Sequence, residues 1–137
     1  MAIPSRVRER LLSAGESQII VTVHVTDPCL LLYPLSEFEM LERKLSQLPT
    51  GSVQSRLWQR LLVGHASECE PDGHGRILIP AQLRKHAGMS KQLVMIGQVN
   101  RLEIWDEATW EQKRDAWLDE AVSGEVELPA ELEGLAL

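Results

Sequence analysis

One order of residue types occurs twice along the chain, and it restricts the fold more than any other feature. Ile3-Pro4-Ser5-Arg6-Val7-Arg8 and Ile79-Pro80-Ala81-Gln82-Leu83-Arg84 each lead through a polar stretch to an apolar run. Those runs are Gln18-Ile19-Ile20-Val21-Thr22 and Gln92-Leu93-Val94-Met95-Ile96. A second run follows in each copy, Cys29-Leu30-Leu31-Leu32-Tyr33 and Arg101-Leu102-Glu103-Ile104-Trp105. Each copy then ends in a helical pattern with an aromatic residue in its first turn, Phe38 or Trp110. Runs this short and this apolar read as strands. A chain with such a duplication is expected to fold as two copies of one small β-rich unit.

The helices have readable boundaries. Ser36 and Glu39 have the spacing of a capping box, with Leu35 and Met40 as its hydrophobic staple. Phe38, Leu41, Leu45 and Leu48 fall on one face. Asp106 is placed to cap the second copy's helix, on which Trp110 and Trp117 share a stripe and are expected to pack in the core. Between the copies, Pro49-Thr50-Gly51-Ser52 breaks the chain. A linking helix is expected from Val53 to about Val63, with Val53, Leu57 and Leu61 on one face, Trp58 off that stripe where it can meet another element or subunit, and Gly64 as its stop.

With 137 residues, 44% hydrophobic and 25% charged, the composition is that of an ordinary globular protein. No apolar run approaches the roughly 18–20 residues of a membrane-spanning helix, and Arg6, Arg8 and Arg10 interrupt any signal-peptide pattern. The two cysteines, Cys29 and Cys69, form neither a disulfide framework nor a CxxC pair and read as reduced thiols of a cytosolic protein. The net charge of −6 argues at first against a nucleic-acid partner. Its distribution reverses that. Residues 115–137 carry seven acids and no Lys or Arg, which leaves residues 1–114 with 14 bases against 13 acids. DNA affinity can then come from a local group of bases, with the acidity confined to a tail.

The segment from Ala66 to Pro80 is the most informative. Asp72-Gly73 is a turn signal, and Gly75 supplies a second positive-φ position or a close backbone approach. Arg76-Ile77-Leu78-Ile79 reads as a strand, Pro80 as the opening of a short helix, and Gly88 as its end. Arg76 thus stands beside a tight turn, with Arg84 and Lys85 on the next element. Arginine reads guanine bidentately in the major groove, and a two-stranded ribbon fits that groove. Arg84 and Lys85 can take phosphates. On the residues alone, Arg76 could instead pair with Asp72 or Glu70 and pin the turn, and that reading outweighs DNA contact.

The string D-G-H-G-R-I-L-I-P-A-Q-L-R-K-H-A-G resembles the signature of the SpoVT/AbrB swapped-hairpin regulators. P-C-L-L-L-Y-P-L-x-E (Pro28 to Glu37), R-L-L-V-G-H-A-S-E-C (Arg60 to Cys69) and L-E-I-W-D-E (Leu102 to Glu107) resemble the MraZ family in particular, so the likeness spans nearly the whole chain. It implies an α+β fold: two tandem AbrB-like swapped-hairpin β-barrel halves with short helices, related by a pseudo-twofold within the chain. The expected division is a first repeat at 1–49, a linker helix at 50–65, a second repeat at 66–121 and an acidic tail at 122–137. The resemblance implies a cytoplasmic, nucleoid-associated repressor of its own division and cell-wall gene cluster, which binds direct repeats in promoter DNA as a ring-shaped homo-oligomer. It makes Arg76 the principal DNA contact, with Arg84, Lys85 and His74 beside it and Arg8, matching Arg84, and Arg6 in the first copy. Asp72, Gly73 and Gly75 form the turn.

The first copy has only Met1-Ala2 where the second has a hairpin ahead of Ile79-Pro80, so a start missing its first strand and turn is expected. The spacing of His65, Cys69 and His74 matches no standard zinc site, and no phosphate loop or nucleophile elbow is present. No enzyme activity, cofactor, metal, membrane or small-molecule substrate is expected. The alternative is an antitoxin-like or scaffold interaction protein without specific DNA binding, for which residues 115–137 would serve as the docking tail.

Overall fold

The computed structural model describes residues 18–49, 51–73, 76–98, 101–124, 127, 129–132 and 134. They divide into two compact units, Met1–Asp106 and Glu107–Leu137. Of the duplicated strings, Ile3 to Arg8 lies outside the described residues.

The apolar runs form the strands expected of them. In the first unit β1 (Ile19–Val23), β2 (Leu30–Pro34), β3 (Ser67–Cys69), β4 (Leu93–Gly97) and β5 (Leu102–Asp106) make one sheet in the order β3-β1-β2-β5-β4. Every pairing is antiparallel. The two hairpins match in register. Ile19 faces Pro34 and Val23 faces Leu30 in the first, as Leu93 faces Asp106 and Gly97 faces Leu102 in the second. Their second strands then meet with Leu31 opposite Glu103, Leu30 opposite Ile104 and Leu32 opposite Leu102.

Side chains alternate across a strand, so this register sorts the sheet into two faces. One carries Ile19, Val21, Val23, Leu30, Leu32, Leu102 and Ile104, all buried, and packs against Cys69, Ile77, Ile79, Leu83 and Ala87. The other carries Ile20, Leu31 and Tyr33, packed with Phe38. Each fully buried Leu or Ile stabilises the fold by roughly 1.5–3 kcal/mol. Thr22, on this second face, is buried, and its hydroxyl donates to the Leu62 carbonyl at 2.7 Å.

Helix α1 (Leu35–Ser46) starts directly from β2. Pro34, at φ −58° and ψ 148°, is its N-cap and makes no side-chain cap bond. Ser36, expected as the cap itself, lies inside the helix, and Met40, expected in the staple, is 45% exposed. The proline's fixed φ lets the strand pass into the helix without a loop. Of the expected stripe, Phe38 and Leu45 are buried, Leu41 is partly buried, and Leu48, past the helix end, is 36% exposed; Phe38 packs on Tyr33 with ring centroids 5.8 Å apart.

Helix α2 (Val53–Leu62) is capped by Ser52, whose side chain accepts the Ser55 N–H. Its buried face is Ser55 and Leu62, not the expected stripe; Val53 is 71% and Leu57 51% exposed. Gln59 decides the orientation, because its side-chain amide donates to the Leu45 carbonyl at 2.9 Å and ties α2 to α1. Gly64 follows the helix, and an added Cβ there would collide with the Arg60 carbonyl oxygen.

In the second unit, helix α4 (Glu107–Val122) buries none of its residues. Trp110 and Trp117 do share a face, but they pack edge-on against each other, centroids 5.9 Å apart, rather than in a core. A short 3-10 turn follows at Ala130–Leu132.

Candidate nucleic-acid interface

The segment from Cys69 to Gly88 carries the bases expected to matter. Cys69 ends β3 and is buried; its thiol donates weakly to the Leu78 carbonyl at 3.6 Å. Burial pushes the Cys69 thiol above its ordinary value. The chain leaves β3, turns at Asp72-Gly73 and returns at Arg76. Asp72 closes this return twice: its backbone N–H donates to the Arg76 carbonyl at 2.9 Å, and its carboxylate accepts the Arg76 N–H at 2.9 Å. Gly73 does not adopt positive φ, so the turn expected to need it there is closed by the aspartate instead. His74 and Gly75 lie outside the described residues, as do Arg6 and Arg8.

Among the described residues only Arg76 carries a bridge and residues 77–80 are not assigned to a strand, where a strand was expected from Arg76 to Ile79. The alternation is nonetheless that of a strand: Ile77 and Ile79 are buried in the sheet's core, while Leu78 is 88% exposed. Pro80 caps helix α3 (Ala81–His86). The helix stops in a glycine lock: the Gly88 N–H donates to the Lys85 carbonyl and the Met89 N–H to that of Arg84. Gly88 takes φ +60°, the left-handed geometry such a stop requires.

Arg76 is exposed, and its side chain has no ion pair among the described residues. The bond between Arg76 and Asp72 that the alternative reading expects of the side chain is made by the Arg76 backbone N–H. Lys85 and His86 are exposed on α3. Arg84 is half-buried and donates to the Ser90 carbonyl at 3.0 Å, so it also braces the loop after its own helix. Ser90 in turn donates its N–H (2.9 Å) and hydroxyl (2.6 Å) to Asp106, the residue expected to cap α4.

Further bases that sequence reasoning passed over are exposed outside this segment: Arg43 and Lys44 at the end of α1, and Arg56 and Arg60 on α2. Arg56 and Arg60 line a shallow cleft of about 510 Å³ with Glu42, Leu45 and Val63. The spacing of the two arginines on one helical face was readable; the cleft between two helices was not.

His65 bonds through Nδ1 to the Leu61 carbonyl at 2.8 Å and Cys69 is buried in the core; His74 lies outside the described residues. No described helix is long and apolar enough to cross a membrane.

Comparison with known proteins places this geometry in a family. The family described as "MraZ protein, putative antitoxin-like" matches residues 62–123. The chain is 50% identical to the protein named Transcriptional regulator MraZ of Halorhodospira halophila, over 100% of this chain and 90% of that protein. It is 53% identical to the one of Methylococcus capsulatus, over 99% and 90%. It is 46% identical to that of Yersinia pestis, over 100% and 90%.

Proposed function

The chain belongs to the MraZ family, and from that premise we propose that it is a DNA-binding transcriptional regulator that represses its own division and cell-wall gene cluster through direct repeats in the promoter. The observation that carries this reading is Arg76: a backbone pinned from both sides by Asp72, and an exposed guanidinium without an ion pair among the described residues. Such a side chain is preorganised to read a guanine edge in the major groove. Lys85 takes a phosphate, and Arg84, when not held by Ser90, another. Arg8, Arg6 and His74 complete the contact set.

The matching registers of the two hairpins support a chain built from two swapped-hairpin halves about an internal pseudo-twofold: exchanging the hairpins turns Leu30–Ile104 into Leu102–Leu32 and leaves Leu31–Glu103 in place. A homo-oligomeric ring would present several Arg76 turns to successive promoter repeats, and multivalency would raise a weak single contact to useful affinity. The nucleoid is then its place of work.

The test is fluorescence anisotropy with the chain's own upstream promoter DNA across a salt series. Binding is expected to fall steeply with salt. Arg76→Ala is expected to cost about 1–3 kcal/mol and to relax sequence preference. Equal binding to promoter and random DNA would reject the reading.

A second reading has one observation in its favour. The family description includes an antitoxin likeness, and residues 115–137 hold seven acids without a base, the charge of a docking tail for a basic partner. Capture of a toxin by the full chain, lost on deleting residues 115–137, would support it.

A further inference from the structure

The sheet brings together three metal-ligating side chains that are far apart in sequence. Cys29 immediately precedes β2 and His24 immediately follows β1; the His24 N–H donates to the Cys29 carbonyl at 3.1 Å, so the ladder continues through them. Alternation from Thr22 and Leu31 puts both side chains on the second face of the sheet. Leu31 is opposite Glu103, which puts the Glu103 carboxylate on that face too. We propose that His24, Cys29 and Glu103 form a binding site for a divalent transition-metal ion, Zn²⁺ by the chemistry of its donors.

The geometry carries this in three ways. Among the described residues these three form the one group of His, Cys and carboxylate ligand atoms lying within 4.8 Å of one another. His24 Nε2 is 3.6 Å from Glu103 Oε2 and 3.8 Å from Asp27 Oδ2. Those separations are too long for N–H···O hydrogen bonds, yet they match the roughly 3.2–3.8 Å between ligands around a tetrahedral ion with Zn–N near 2.0 Å and Zn–S near 2.3 Å. Finally, the Glu103 side chain is only 9% exposed. Its Oε1 accepts from the Trp105 indole at 3.2 Å, which orients Oε2 toward His24 without a hydrogen bond of its own among the described residues.

The donor set is that of zinc: one thiolate, one imidazole and one carboxylate, with Asp27 or a solvent molecule as the fourth ligand. Cys29 is fully buried, and burial together with the Glu103 and Asp27 charges pushes its thiol up to about 12. A dication among these groups reverses that balance, and the thiol proton leaves as the metal–sulfur bond forms. Arg101 is the cation nearby. It is held by the Tyr33 hydroxyl (3.1 Å) and by Gln98 (2.9 Å) rather than by Glu103. The His24 side chain, 13% exposed, marks the way in.

The site has one built-in resistance. His24 Nδ1 accepts the N–H groups of Thr26 (3.2 Å) and Asp27 (3.1 Å), so in the metal-free turn the neutral ring carries its proton on Nε2. Metal at Nε2 moves that proton to Nδ1 and releases both turn bonds. Loading must therefore change the backbone of residues 24–29, and this gives the proposal a second signature.

The experiment uses the full chain, stripped of metal and titrated with Co²⁺ and then Zn²⁺. Expected are a thiolate-to-Co²⁺ charge-transfer band with tetrahedral visible absorption, displaced by Zn²⁺, and Zn²⁺-induced shifts of the Thr26 and Asp27 amide resonances. Cys69→Ser should keep the band and Cys29→Ser should lose it. His24→Gln, at the more accessible donor, should weaken Zn²⁺ binding by about tenfold or more; it decides the matter if Cys29→Ser does not fold. Absence of the band in the folded native chain, its survival in Cys29→Ser, undiminished Zn²⁺ affinity in His24→Gln, or Zn²⁺ binding that leaves both amides unmoved would each overturn the site.

Discussion

Gly64 shows how much a single missing methyl can govern. Its backbone follows α2 so closely that a Cβ would overlap the Arg60 carbonyl oxygen, and neither partner is a flexible side chain that could move aside. Gly64→Ala should therefore destabilise the fold by about 1–3 kcal/mol, the usual range for forced overpacking, read as a lower urea midpoint at unchanged slope. A neutral effect would mean that α2 unwinds easily at its end. Cys69 acts through its proton. Its folded-state pKa lies above the ordinary 9.0, so the folded state holds the proton more tightly than the unfolded one. That contribution is complete below the ordinary thiol value and is lost as pH rises from there through the raised folded-state value. Thermal stability should fall above about pH 9, and less so in Cys69→Ala than in the native chain. His24 marks the limit of reading one residue at a time. In the sequence it simply follows the first apolar run, Gln18 to Thr22. In the fold it faces Cys29 and Glu103, because the pairing of β2 with β5 is set by residues some seventy positions apart.

At the scale of elements, the two hairpins and their following helices were legible because alternation and helical spacing are local patterns. The buried face of α2 was not. Val53, Leu57 and Leu61 satisfy the pattern of an amphipathic helix, but Gln59 and Thr22 make the hydrogen bonds that orient it, and those bonds join three separate elements. The segment after Arg76 illustrates the opposite case: it has the burial alternation of a strand, but among the described residues it is not assigned to one. Ile77→Ala, which empties a core position, should cost about 2–5 kcal/mol. Leu78→Ser, at an 88% exposed position, should stay within about 0.5 kcal/mol. Urea melts of the two variants check the pair; similar losses in both would mean that Leu78 is covered by another molecule. The turn at Asp72-Gly73 was legible as a turn but not in its mechanism, since a carboxylate accepting the Arg76 N–H does the work assigned to a positive-φ glycine.

For the whole molecule the governing quantity is how charge is divided along the chain. The sequence has a net charge of −6, yet every Lys and Arg falls in residues 1–114. A segment that carries only acids lowers the potential met by approaching DNA. Deleting residues 125–137 removes Glu125, Glu127, Glu131 and Glu133. Under the DNA-binding reading, affinity for promoter DNA should rise at low salt, where the screening length reaches about 30 Å at 0.01 M, and the gain should fade toward 0.15 M, where it is about 8 Å. The salt slope at a fixed number of phosphate contacts counts ions released by those contacts; because the tail supplies none, repulsion should add only a small steepening for the truncated chain. The same deletion separates the two functional readings. A repressor that works through Arg76 keeps its sequence preference without the tail, whereas a chain whose tail is its docking element keeps its fold and loses its partner. Anisotropy on promoter and scrambled DNA, measured for both lengths over the same salt range, distinguishes them: a truncated chain that no longer prefers its promoter would place specificity in the tail and remove Arg76 from the centre of the mechanism.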